Sequence, residues 1–190
     1  MRHNFKTPLD QGCKNSKIVD QFSYIYFKDE FVYVSNGICH IKQHLSLHGF
    51  SRREMKALDG KKIHKEAFKM LRRQKEIHIV RSGSVTKASF MFGETVVIVD
   101  VLNQTETQKI FLDQLDKFFS DWDMDFVKQI AYDPDQVGII RKIFVTKSTG
   151  FTYRFNNEKT GILVTPNQDN YLEHAIIKPL RITGKKNDEL

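Results

Sequence analysis

The chain has little with which to brace itself covalently: two cysteines, Cys13 and Cys39, and four prolines in 190 residues. Two thiols with no amino-terminal apolar run exclude a disulfide scaffold and point to a reducing, cytoplasmic setting. No apolar stretch is long enough to cross a bilayer, so no membrane partner is expected. The closing Asn-Asp-Glu-Leu lacks the basic residue of an endoplasmic-reticulum retention signal and has no secretory signal to go with it. Catalytic constellations are missing too. Ser82-Gly83-Ser84 is a turn with no Gly-Lys after it to hold phosphate, and Cys39 beside His40 reads as a half-buried strand residue without an orienting third group. Asp121, Asp123 and Asp125 open like a calcium loop, but Phe126 stands where glycine is needed and Tyr132 where the closing glutamate belongs. His40, His44 and His48 recur every four residues, yet on a segment that reads as a strand entering a loop, where such positions diverge onto the surface. No enzyme activity, metal or cofactor is expected.

What the chain has in excess is positive charge. The formal net charge is +7, and the stretch Ser51 to Lys75 accounts for all of it: ten basic residues against Glu54, Asp59 and Glu66. Within it, residues 62–73 read as a helix. Ile63, Ala67, Phe68, Met70 and Leu71 form one side, and Lys62, Lys65, Lys69, Arg72 and Arg73 the other, at spacings of three and four. A charge run is often only a solvated face, but this concentration points to a polyanionic partner such as DNA.

The rest of the chain is patterned for a compact α+β fold, with 40% hydrophobic residues to fill its core. Phe22 to Phe27 and Phe31 to Val34, joined at Lys28-Asp29-Glu30, read as a β-hairpin, and Ser35-Asn36-Gly37 turns the chain into a third strand over 38–47. The helix over 62–73 is followed by three strands over 76–81, 85–92 and 95–102. An amphipathic segment, Gln108 to Phe119, leads to a helix that starts at Asp133-Pro134, with Val137, Ile140 and Phe144 on one face. Three strands follow again, over 151–155, 161–165 and 175–182. Ile63, Phe68, Met70 and Leu71 stand where Tyr132, Val137, Ile139 and Ile140 stand, an internal repeat at an offset of about 65–69 residues. The economical division is a loose arm over 1–17, one unit over 18–104, a second over 105–183 and a disordered tail over 184–190.

Two segments carry a family resemblance. Ala175-Ile176-Ile177-Lys178-Pro179-Leu180-Arg181-Ile182 resembles the closing strand of bacterial sliding clamps, the beta subunit of DNA polymerase III, keeping its Pro-x-Arg-aliphatic core at Pro179, Arg181 and Ile182. Val32 to Ile41 is similar to the clamp's strand-turn-strand, with Ser35, Asn36 and Gly37 at the turn, although His40 and Ile41 do not reproduce the family's His-Arg. The resemblance implies two tandem clamp-type domains with antiparallel sheets. It further implies a processivity factor that encircles or tethers to duplex DNA and receives polymerase or clamp-loader peptides. On this likeness Lys62, Lys65, Lys69, Arg72, Arg73, Arg141 and Lys142 would face DNA. Gly37, Ile38, Ile177, Pro179, Leu180 and Ile182 would line the peptide cleft. The family's rings contain six domains, so a two-domain chain implies a homotrimer closed through edge strands. The residues leave two other readings open: a module that grips single-stranded nucleic acid on aromatics such as Tyr24, Tyr26, Phe27 and Tyr33, and a clamp-fold interaction module that does not bind DNA.

Overall fold

The structure, a computed structural model, describes residues 5–14, 20–120, 131–147, 150–155, 161–167 and 172–180. In chain order the elements are β1 (Tyr24–Lys28), β2 (Phe31–Ser35), β3 (Cys39–His44), α1 (Arg52–Leu58), β4 (Lys61–His64), α2 (Lys65–Arg72) and β5 (His78–Ser82). Then come β6 (Val85–Phe92), β7 (Thr95–Asn103), α3 (Glu106–Ser120), α4 (Pro134–Ile143), β8 (Phe151–Phe155), β9 (Ile162–Pro166) and β10 (Glu173–Ile177). All ten strands join one sheet in the order β5-β6-β7-β4-β1-β2-β3-β10-β9-β8. Every pairing is antiparallel.

Local chemistry sets most of these elements. Asp29 and Glu30 take φ of 49° and 68° in the two-residue turn between β1 and β2, which matches the twist of a tight hairpin. Ser51 and Glu54 close a capping box at the start of α1. Asp133 caps α4 with Pro134 in its first turn. Both α2 and α4 lead into three-strand meanders, as the internal repeat requires.

Alternation along the strands gives the sheet two unlike faces. Ile25, Phe27, Val32, Val34, Ile41, Ile63 and Val99 point to the larger core, where Phe68 and Leu71 of α2 and Ile140 and Ile143 of α4 meet them. Helix α1 is on this side too, its Ala57 carbonyl accepting from Thr86 Oγ1 at 2.9 Å. Helix α3 lies on the opposite face, where Leu112 and Leu115 bury Tyr26 and Tyr33 in a smaller cluster.

Three expectations need correction. The basic helix begins at Lys65, not Lys62, because residues 61–64 form β4, held between β1 and β7. A second helix, α1, occupies the charge run just before it. The amino-terminal segment is no loose arm where it is described: Phe5 and Leu9 are buried, and the 3-10 turn Leu9–Gly12 contacts both α2 and α4. A Cβ on Gly12 would come within 2.7 Å of Val34 Cγ2 and 2.9 Å of Ile143 Cδ1, so only glycine lets this turn approach so closely. The tail over 184–190 lies outside the described residues.

The two meander units share the sheet rather than standing apart, because β3 pairs with β10 from Cys39↔Ile177 to Gln43↔Glu173. Behind this seam Glu173 is fully buried. It accepts from Gln43 Nε2 at 3.1 Å, Val145 N at 2.6 Å and Thr146 N at 3.1 Å. These bonds satisfy a carboxyl group that burial pushes above the ordinary glutamate range. Among the described residues, no helix is long and apolar enough to cross a membrane.

Candidate nucleic-acid interface

The three helices on the larger core's side present the basic residues, but not as the sequence pattern alone suggests. Lys62 lies in β4 and its ammonium reaches the α3 side, donating to Gln108 Oε1 at 3.0 Å and standing 4.3 Å from the centre of the Tyr24 ring. Burial pulls its pKa below the ordinary lysine range, against an opposing pull from Asp20. Lys65 is buried at the start of α2. Arg72 turns back to the amino-terminal turn, with Nε 3.0 Å from Asp10 Oδ1. Lys69 is half-exposed and paired with Glu66 at 2.9 Å. Lys62 and Lys65 are therefore not on the outward face, because Lys62 belongs to a strand that runs on to His64 and Lys65 is the buried first residue of the helix.

Exposed positions that remain on this side are Arg73 at the end of α2, Arg141 and Lys142 in the last turn of α4, and Arg52, Arg53 and Lys56 on α1. Arg141 and Lys142 line a hollow with Lys147, Pro8, Gln11 and Phe151. Sequence reasoning missed the α1 contribution. Its signal was Ser51-x-x-Glu54, a capping box that marks a helix start at Arg52. On the opposite face α3 carries Glu106, Asp113 and Asp116 against Lys109 and Lys117, and exposed Lys87 and Arg154 stand apart on β6 and β8, so the exposed cations gather on the helical side of the sheet.

The seam residues fall into three groups. Gly37 sits at φ +88° in the turn before β3, its α-carbon side against the Phe22 ring. Asn36 locks that turn: its Oδ1 accepts from Ile38 N at 2.9 Å and Cys39 N at 2.7 Å, while its Nδ2 donates to Gln136 Oε1 on α4 at 2.9 Å. Ladder bonds continue past the strand ends, from Lys178 N to Ile38 O and from Leu180 N to Ala131 O, each 2.8 Å. Ile38 and Leu180 are thus exposed apolar residues at one end of the seam, with Pro179 half-buried between them in sequence. Ile177 is fully buried and points into the core, so it supports this surface instead of lining it. Ile182 lies outside the described residues.

Other sequence candidates resolve into structure. His40 and His48 are buried rather than on the surface, and burial draws both pKa values down to about 3, with Lys178 and Lys6 adding to the effect. Both are neutral at physiological pH. Cys39 is buried, its thiol pushed up to about 12, which makes it a poor nucleophile. The aspartates at 121, 123 and 125 lie outside the described residues, and among the described ones no group of three potential ligands gathers for a metal. Of the aromatics of the single-strand reading, Phe27 belongs to the larger core, Tyr26 and Tyr33 are sealed under α3, and Tyr24 is half-buried beside them.

An antiparallel sheet that runs unbroken through successive meander units, with basic helices on one face, defines a DNA-clamp fold. Among solved structures, the chain is similar to a putative DNA polymerase III beta subunit from Eubacterium rectale, with a TM-score of 0.58 at 9% identity over 95% of this chain and 64% of that one. It is also similar to DNA polymerase III subunit beta from Borrelia burgdorferi (TM-score 0.56, 12% identity, 94% and 62% covered) and from Thermotoga maritima (TM-score 0.55, 8% identity, 96% and 63% covered). The chain spans a little under two thirds of the length of these structures. No family model and no curated protein matches it in sequence. The likeness is one of fold, and it agrees with the sliding-clamp resemblance carried by the seam segments.

Proposed function

We infer that this protein is a non-enzymatic, clamp-fold processivity or tethering factor that rests its helical face on duplex DNA. The observation that carries the reading is the gathering of exposed Arg53, Lys56, Arg73, Arg141 and Lys142 on the helical side of the sheet. Mobile cationic side chains on helices neutralise phosphates without reading bases, which is what a protein that must move along DNA requires. Lys69 contributes more weakly, since it shares its charge with Glu66. Polymerase or clamp-loader peptides would dock at Ile38, Pro179 and Leu180 at the end of the β3–β10 seam. Two units per chain would close a ring as a homotrimer through the free edges of β5 and β8.

Duplex binding followed by fluorescence anisotropy over a salt series tests the helical face. Replacing Arg73, Arg141 and Lys142 by glutamate is expected to lower duplex affinity at least tenfold and to flatten the salt slope by about 3, near 0.9 per lost phosphate contact. Unchanged affinity in that variant, with its fold intact by circular dichroism, removes the DNA reading. Binding of a clamp-type peptide without any duplex binding would leave an interaction module on the same fold.

A further inference from the structure

The amino-terminal turn and the loop that follows α4 meet near the start of β8 and enclose a hollow of about 520 Å³. Three stretches far apart in sequence form its wall: Pro8 and Gln11, then Arg141, Lys142 and Lys147, then Phe151. Among the described residues, every titratable group on that wall is a cation. Asp10 does not cancel this charge, because its carboxylate is buried and held by Arg72 Nε at 3.0 Å. Nor does Glu173, which is fully buried and accepts from Gln43 Nε2 and from the N–H groups of Val145 and Thr146.

The hollow is built before any ligand arrives. Gly12 brings the turn so close to α4 that an added Cβ would stand 2.9 Å from Ile143 Cδ1, which fixes the Pro8–Gln11 side against the Arg141–Lys142 side. Phe151 is half-buried. Its ring meets the fully buried Phe144 edge-on, with 5.8 Å between centres and 87° between planes, so the core sets the orientation of a ring that also lines the opening. Lys147 is steadied by a bond from its Nζ to Phe144 O at 3.1 Å.

Two chemistries therefore share one space. Three cations suit a phosphate group. An aromatic ring gives a nucleobase a face to stack on, whatever the base. The volume lies within the roughly 300–1,000 Å³ of small-molecule sites and leaves room for more than a phosphate ion.

We propose that this hollow binds a nucleoside phosphate unit, with the phosphate on Arg141, Lys142 and Lys147 and the base against Phe151. The unit comes from the unpaired end of a nucleic-acid strand or from free nucleotide. The assignment rests on the hollow itself. The duplex reading uses Arg141 and Lys142 but not Phe151, so the two fail separately.

Isothermal titration calorimetry on the intact chain, with adenosine 5′-monophosphate, adenosine and inorganic phosphate as probes, tests this. The nucleotide is expected to bind with a dissociation constant on the order of 100 μM, at least about tenfold more tightly than either fragment. Phe151→Leu keeps apolar packing against Phe144 and is expected to weaken the nucleotide about tenfold while leaving the affinity for blunt duplex unchanged. Duplex with a 5′-phosphorylated single-stranded overhang identifies the source. An overhang that binds more tightly than blunt duplex, with the advantage lost in Phe151→Leu, assigns the site to a strand end; nucleotide binding without that preference assigns it to free nucleotide. Inorganic phosphate bound as tightly as the nucleotide overturns the proposal, as does unchanged nucleotide affinity in Phe151→Leu with its fold intact by circular dichroism. A chain that neither binds the nucleotide nor prefers the overhang overturns it as well.

Discussion

One face of one sheet is finished in two opposite ways. Over β1, β2 and β3 the outward side chains mix the rings of Tyr26, Phe31 and Tyr33 with the polar groups of Lys28, Lys42 and His40, and α3 covers them. Over β5, β6 and β7 they are mostly aliphatic, chemically suited to a core, and nothing in the chain covers them among the described residues. The covered region shows what a polar underside demands. Asp116 of α3 accepts from Lys28 Nζ at 2.6 Å, Lys42 Nζ at 2.6 Å and Tyr33 Oη at 2.6 Å. Burial would raise the pKa of Asp116, but these three bonds outweigh it and hold the carboxyl below the usual range. Lys42 also lies 4.6 Å from the centre of the Phe31 ring. A polar surface is closed by donors and acceptors placed atom by atom, whereas an aliphatic one accepts any apolar partner of matching shape.

The contrast can be broken most forcefully at Leu112, which is fully buried between α3 and the tyrosines. Leu112→Ala is expected to cost about 3 kcal/mol in urea denaturation. Asp116→Ala, which leaves two ammonium groups and a phenol without their shared acceptor, is expected to cost roughly 2 kcal/mol, moderated by partial exposure of the site.

Acid should act on the covered region as well. His40, beneath Phe111 of α3, has its pKa lowered to about 3, chiefly by burial. Its unfolded value is near 6.5, so its contribution is fully present above that pH and is lost as the pH falls toward 3. The expected slope is about 1.4 kcal/mol per pH unit from this residue. His40→Phe should remove that share of the slope in denaturation curves taken between pH 6.5 and 4. The smallest effect is expected in the bare region, where Ile98→Ala in dilute protein should change stability by less than about 0.5 kcal/mol. A loss there as large as that of Leu112→Ala would mean that the β5–β7 face is covered in solution by part of the same chain.

What the sequence disclosed follows the range of the interactions involved. The β1–β2 hairpin, the Asp133-Pro134 helix start and the long β7 strand are written in neighbouring residues, and all three are present. Strand β4 has a single core residue, Ile63, among Lys61, Lys62 and His64, so its identity comes from pairing with β1 and β7 and not from its own pattern. The same holds for Phe5 and Leu9, two apolar residues in a polar segment whose docking partners lie far along the chain. Of the basic side chains, Arg73, Arg141 and Lys142 are where the helical pattern puts them. Lys62 and Arg72 are not, because Gln108 and Asp10, distant in sequence, draw them inward. Aliphatic residues stand on both faces of β7, so the strand's own pattern does not say which face α3 leaves uncovered.

The β3–β10 seam also sets a clock. Gln43 and Glu173 are 130 positions apart, and ribosomes add on the order of 5–20 residues per second. The outer edge of β3 therefore waits roughly 7–26 seconds during synthesis before the strand that closes it exists. In that interval β1, β2 and β3 can already be paired, with one row of backbone donors and acceptors unclaimed. The nascent chain is most exposed to pairing with the wrong strand at the very seam that later makes the finished sheet continuous.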